Sequence, residues 1–127
     1  MSALAPPAGR VRDAMRLGLV RCPPDASLRT VARMLAGYAV HAVAVMDGDG
    51  WSIITARDVA SAAWRDADTT RARELHAGPA VTVEPDMPLP GAAELMARRR
   101  VTHLLVVDPE TRLPLAVLST LDIAARL

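Results

Sequence analysis

Phenylalanine is absent from this 127-residue chain, and with two Trp and one Tyr the aromatic share is only 2%. A core must therefore be assembled from Val, Leu, Ile, Ala and Met, and there are almost no rings on which nucleic-acid bases could stack. Lysine, asparagine and glutamine are absent too, so all 15 basic residues are arginine, a bias that follows genome base composition rather than function. Against 14 acidic residues the net charge is +1, which favours neither nucleic acid nor an anionic membrane as partner. A single cysteine, Cys22, excludes an intrachain disulfide and a cysteine zinc cluster, and is expected to pack as a small hydrophobe. The histidines, His41, His76 and His103, have no metal-ligand spacing. The longest mostly apolar run, Ala39 to Met46, falls far short of the ~20 residues of a membrane helix. Met1 to Arg10 contains Pro6-Pro7, lacks the apolar core of a signal peptide, and is expected to be flexible. These absences point to a cytoplasmic protein of a reducing compartment.

What is present is a junction written twice. Leu115-Ala116-Val117-Leu118-Ser119-Thr120-Leu121-Asp122-Ile123 reads as an apolar strand running into a helix, with a hydroxyl and then a carboxylate three positions later. Trp51-Ser52-Ile53-Ile54-Thr55-Ala56-Arg57-Asp58-Val59 has the same grammar. The rest of the chain repeats with it. At a constant offset of 61 residues, Pro24-Asp25 falls on Pro85-Asp86, Val20 on Val81, Leu28 on Leu89, and Val40–Asp47 on Val101–Asp108 without a gap. The following loop, Asp108 to Pro114, is three residues longer in the second copy, so Thr55 and Asp58 fall on Ser119 and Asp122.

Within the first copy, Val11 to Met15 is placed to begin a short helix, and Gly18 to Cys22 is extended up to the stop at Pro23-Pro24. Ser27 stands as an N-cap before Leu28, Val31, Ala32 and Leu35, one apolar helix face, with Gly37 as the expected stop. Val40 to Met46 and Trp51 to Ile54 form a hairpin around Asp47-Gly48-Asp49-Gly50, and Thr55 opens a helix running through Val59 toward Trp64. The expected architecture is α/β (α+β): a β-α-β-β-α repeat over residues 11–64, a polar linker over 65–71 and a second repeat over 72–127. Neither copy has comfortable core volume alone, so the two sheets are expected to pack together.

Val-Arg-Asp-Ala-Met at 11–15, Pro-Pro-Asp-Ala-Ser-Leu at 23–28, Val-Glu-Pro-Asp at 83–86, Val-Thr-His-Leu-Leu-Val-Val-Asp at 101–108 and the two junctions, in this order, resemble a tandem pair of cystathionine-β-synthase (CBS) domains, a Bateman module. The resemblance implies two pseudo-twofold-related repeats, with clefts that bind adenosine-containing ligands (AMP, ADP, ATP or S-adenosylmethionine), and a homodimer formed through the helices. It also implies roles: the junction hydroxyl contacts phosphate, the Asp three residues on contacts ribose, and a Thr near the first strand joins them. Those positions here are Thr55 and Asp58 in one copy, and Thr82, Ser119 and Asp122 in the other.

The chemistry suits these residue types. A helix start offers unpaired N–H groups to phosphate, and a carboxylate one turn in can accept ribose hydroxyls. Arg57 is placed to add charge-assisted contacts to phosphate. The backbone edges of Val40–Val45 or Val101–Val106 would line an adenine slot. His103 has two readings, a contact to the ligand or an ordinary half-buried histidine. The same Ser/Thr-x-x-Asp spacing is also a capping box, in which hydroxyl and carboxylate satisfy the helix's own N–H groups. The chain departs from the family where Gly is usual, at Ser52 and Ala116, and where Pro is usual, at Ala44 and Leu105. Arg21 stands where the second copy has Thr82, and either binds phosphate or fills the first-copy cleft, which makes the second-copy site the stronger one. Arg98-Arg99-Arg100 complements a helix C-terminus. No nucleophile–base order, phosphate loop or metal-water motif points to an enzyme. The expected function is a stand-alone sensor that signals ligand occupancy to a regulated protein the sequence does not name. The alternative is a ligand-independent dimerisation or adaptor module.

Overall fold

The computed structural model describes residues 7–48, 50–76 and 78–127. The elements run α1 (Val11–Ala14), β1 (Arg21–Cys22), α2 (Leu28–Gly37), β2 (Ala42–Asp47), β3 (Gly50–Thr55), α3 (Ala56–Ser61), a 3-10 turn (Ala72–Glu74), β4 (Thr82–Val83), α4 (Leu89–Arg99), β5 (His103–Val107), β6 (Pro114–Ser119) and α5 (Thr120–Ala124). They form two three-stranded sheets, ordered β1-β2-β3 and β4-β5-β6, each with a parallel first pair and an antiparallel hairpin. This is the expected α/β class and element order.

The chain divides into two compact units: a contiguous one, Val20–Ala80, and a split one, Met1–Leu19 with Val81–Leu127. In the contiguous unit, Leu28, Val31 and Leu35 of α2 bury their i, i+3, i+7 stripe against Val43, Val45 and Ile54 of the sheet. In the split unit, Leu89, Ala92 and Met96 of α4 do the same against Leu104, Val106, Ala116 and Leu118. Burying each of the larger aliphatic side chains contributes about 1.5–3 kcal/mol of transfer free energy.

These units exchange the first segment of each sequence repeat. α1 belongs to the first repeat yet packs Val11 into the split unit's core, where Val11 N donates to Met87 O (2.8 Å) and Arg12 N to Pro85 O (2.9 Å). The 3-10 turn of the second repeat packs Ala72 and Leu75 into the contiguous unit's core, where Ala72 N donates to Ala26 O (2.7 Å) and Arg73 N to Pro24 O (2.9 Å). The two patterns match bond for bond at the 61-residue offset. Of the segment 1–10 expected to be flexible, Met1–Pro6 lie outside the described residues. Ala8, Gly9 and Arg10 are hydrogen-bonded to the split unit through Arg126 O, Leu89 N and Asp13. Over 65–71, the expected linker, Asp66 Oδ1 accepts from the N–H groups of Asp68 (2.8 Å) and Thr69 (3.0 Å), and Arg29 pairs with Asp68 (2.7 Å).

Ser27 caps α2 as expected, accepting from Thr30 N at 3.1 Å. α2 stops at Gly37 as expected, although Gly37 is not the left-handed residue. Gly37 is the last helical residue, and the left-handed position is Ala39 (φ 52°), matched by Arg100 (φ 55°) after α4. Val40 N reaches back to Leu35 O and Val101 N to Met96 O, both at 3.1 Å, the six-to-one bond of a Schellman motif. The same bond closes both turns although neither left-handed position is glycine. The first hairpin pairs Asp47 with Gly50; Asp49 of the expected turn lies outside the described residues. α3 ends at Ser61, short of Trp64.

Candidate functional site

Each sheet has one face packed on its own unit's helices and a second face. Alternation along the strands, read with the pairing register, decides which residues share the second face. In the split unit Thr82 pairs with Leu105 and Leu105 with Val117, while His103 pairs with Ser119 two residues along. Thr82, His103 and Ser119 therefore stand on one face, opposite the core residues Val83, Leu104 and Leu118. Thr82 lies on the order of 10 Å from Ser119 across two strand spacings. Asp122 follows in the first turn of α5.

The junction itself closes a capping box. Ser119 Oγ accepts from Asp122 N (3.1 Å), and Asp122 Oδ2 accepts from Ser119 N (2.9 Å). Asp122 Oδ1 accepts from Arg16 Nε at 3.1 Å. The Asp122 side chain is only 7% exposed, whereas that of Arg16 is 76% exposed. Arg16 is held there by a backbone bridge to Val117, next to the open edge of β6. Sequence reasoning missed Arg16, because 106 residues separate it from its partner and no local pattern marks it. His103 is half-buried, and its Nδ1 lies 2.9 Å from the Thr102 hydroxyl.

The contiguous unit has the same junction with different surroundings. Thr55 Oγ1 accepts from Asp58 N (3.2 Å), and Asp58 Oδ2 from Thr55 N (2.8 Å). Asp58 is less buried than Asp122. Arg57 is exposed and makes no hydrogen bond or ion pair with another described residue. Arg21, Trp51 and Thr55 share the second face, since Arg21 pairs with Ala44, Ala44 with Ile53, and Met46 with Trp51. The Arg21 guanidinium stacks on the Trp51 ring, 5.3 Å from its centroid. Trp51 is four residues up β3 from Thr55, roughly 13 Å away, so Arg21 points along the sheet and away from the junction. The structure thus groups Thr82, His103, Ser119 and Asp122 in one unit, and Arg21, Thr55, Arg57 and Asp58 in the other.

The two helix starts have little left to offer a phosphate. α3 and α5 are six and five residues long, and their own side chains already take the N–H groups of Asp58 and Asp122. What each site offers a ligand is the second face of the sheet, a hydroxyl and a carboxylate. Cys22 is buried at the end of β1, and burial pushes its thiol pKa up, which leaves it an inert core residue. Among the described residues, no group of His, Cys, Asp and Glu could hold a metal ion, and no helix is long and apolar enough to cross a membrane.

The CBS domain family model matches the chain twice, over residues 11–65 and 72–127. No curated protein matches. Among solved structures, the chain is similar to the CBS domain pair of protein MJ0100 in complex with 5′-methylthioadenosine and S-adenosyl-L-methionine (22% identity, TM-score 0.80, covering 94% of this chain and 95% of that one). It is also similar to a hexameric CBS-CP12 protein from bloom-forming cyanobacteria (22% identity, TM-score 0.83), covering 91% of this chain and 66% of that one. A third likeness is the cytosolic domain of the Mg2+ channel MgtE in complex with ATP (26% identity, TM-score 0.69), with 89% of this chain and 46% of that one covered.

Proposed function

This chain belongs to the CBS domain family, and from that premise we propose that it is a non-catalytic sensor whose split unit binds an adenosine-containing ligand and signals its occupancy to another protein. The observation that carries the reading is the grouping of Thr82, His103, Ser119 and Asp122 on one side of one unit, around a carboxylate that accepts from both its own cap and an arginine. Ser119 and Thr82 supply hydroxyls for a phosphate or sugar oxygen, and Asp122 supplies the acceptor for ribose. The three ligands held by the MJ0100 pair and the MgtE domain, all adenosine compounds, support the choice of class. The contiguous unit is the weaker site, because its first strand offers Arg21, stacked on Trp51, in place of Thr82.

A second reading, a ligand-independent dimerisation or adaptor module, is favoured by the two closed capping boxes, which account for Ser119, Asp122, Thr55 and Asp58 without a ligand. A groove of about 380 Å³ between α2 and α3, lined by Leu28, Ala32, Ala36, Val59, Ala63 and Ala67, gives a second copy an apolar surface to bury. Calorimetric titration with AMP, ADP, ATP and S-adenosylmethionine separates the two. Binding is expected for at least one of them, and Asp122→Ala is expected to weaken it at least tenfold while Asp58→Ala leaves it within about twofold. Absence of heat from all four ligands would establish the adaptor reading in place of this one.

A further inference from the structure

Arg16 is absent from every sequence motif of the junction, yet its Nε pairs with the Asp122 oxygen that the capping box leaves over. Oδ2 is turned inward to the Ser119 N–H, and Oδ1 carries the Arg16 Nε at 3.1 Å. Only Nε is engaged among the described residues, so the four N–H donors of the Nη groups project into solvent from a side chain that is 76% exposed. The anchor is firm: the backbone of Arg16 bridges Val117, two residues before Ser119, and the carboxylate holding the guanidinium is nearly fully buried. Any ligand that reaches the Asp122 carboxylate meets a fixed, half-used guanidinium.

We propose that Arg16 is the specificity-determining residue of this site, selecting adenosine compounds with an anionic phosphate group over neutral nucleosides and over cationic S-adenosylmethionine. The inference rests on the sensor reading above and narrows its ligand class. The planar fork offers two parallel donors to phosphate oxygens, a geometry a neutral thioether or hydroxyl at the same place cannot use. In S-adenosylmethionine the 5′ position that carries phosphate in a nucleotide carries a sulfonium, which meets like charge there, and its carboxylate lies several bonds further out. The contiguous unit has no equivalent of this arginine, since the residue at the 61-residue offset from Arg16 is Ala77.

The test is calorimetric titration of the full chain with AMP, adenosine and S-adenosylmethionine, in the unaltered protein and in Arg16→Met and Arg16→Lys. AMP is expected to bind about tenfold or more tighter than adenosine. Arg16→Met should bring the two within about threefold by weakening AMP alone, and Arg16→Lys should recover part of the gap. A purely structural Arg16, serving only to neutralise Asp122, would weaken AMP and adenosine by the same factor, and that result overturns the proposal. So does an unaltered protein that binds adenosine or S-adenosylmethionine as tightly as AMP; the site itself then stands and only its selectivity is wrong. Absence of binding by all three removes the site and this assignment together. Should Arg16→Met not fold, the salt dependence of AMP binding by the unaltered protein and by Arg16→Lys decides. A steep loss with added salt for AMP and none for adenosine supports a phosphate contact, and equal slopes refute it.

Discussion

Thr55 with Asp58, and Ser119 with Asp122, close the same two hydrogen bonds to within a few tenths of an ångström, yet the second pair carries more. Asp122 is buried and holds Arg16; Asp58 is partly exposed and holds no cation among the described residues. On the second face of the sheet, the contiguous unit has Arg21 stacked on Trp51, where the split unit has Thr82 and, at the position of Trp51, Leu115. All three aromatic residues, Tyr38, Trp51 and Trp64, fall in the contiguous unit. Duplication fixed the backbone bonds that both copies need to fold. The side chains standing on that backbone then diverged, with Arg21 against Thr82 and Trp51 against Leu115 on the second face of the sheet.

The largest way to break the comparison is to remove each carboxylate and read stability. Asp122→Ala deletes a buried helix cap and leaves the Ser119 N–H without its acceptor, which costs about 2 kcal/mol; the more exposed Asp58→Ala costs about 1 kcal/mol. Arg16 stays solvated when its partner is lost, so the ion pair adds only a few tenths of a kcal/mol to the difference. Urea unfolding, with midpoints converted at a common slope, measures both. Equal losses would mean that burial at Asp122 contributes nothing beyond the cap, and the asymmetry between the junctions would fall with it.

How much of this was legible before the structure follows from how far apart the interacting residues lie. The repeat, the hairpins and the capping residues Ser27, Thr55 and Ser119 are set by contacts within a few positions, and periodicity and turn chemistry reveal such contacts. The exchange of α1 and the 3-10 turn was not legible. Val11 and Ala72 make equivalent bonds, so either copy's sheet would accept either segment by local pattern alone. Connection length and packing decide, and neither is written in a short motif. The pairing of Arg16 with Asp122 was hidden for the same reason. Gly37 shows the opposite case: the helix ends there, but the left-handed conformation that glycine usually takes at such a stop falls at Ala39, closed by the Val40 N–H to Leu35 O bond.

That placement supplies a smaller test. Ala39 and Arg100 each pay for a positive φ that glycine adopts freely, so Ala39→Gly and Arg100→Gly are both expected to stabilise, by about 0.5–1 kcal/mol after the added unfolded-state entropy of glycine. The two gains should match, because the Schellman bonds match at 3.1 Å. Thermal unfolding of the two single variants checks it. A gain at one position and a loss at the other would show that the C-caps, unlike the capping boxes, are not equivalent in the two copies.

The smallest expected effect is on acid sensitivity, and it runs opposite to the carboxylate comparison. Three carboxylates of the contiguous unit are held below the ordinary range: Asp66 by the N–H groups of Asp68 and Thr69, Asp68 by the Arg29 guanidinium, and Glu74 by the Arg71 N–H and Arg65. In the split unit Asp108 is held down in the same way, by the N–H groups of Thr111 and Glu110. A depressed folded-state pKa gives stability that is present above the unfolded value, about 4, and is lost as pH falls through the folded value. All four groups lie at the surface, so the effect is modest and weakens further with salt. Lowering the pH from about 5 to about 3 should therefore loosen the contiguous unit before the split one. Trp51, the less exposed of the two tryptophans, reports the contiguous unit by fluorescence, and amide exchange at Leu104 and Val106 reports the core of the split unit. If the amides of the split unit open first, the surplus of capped carboxylates over 65–74 does not set the order of acid loosening; if both signals move together, the two units unfold as one cooperative body.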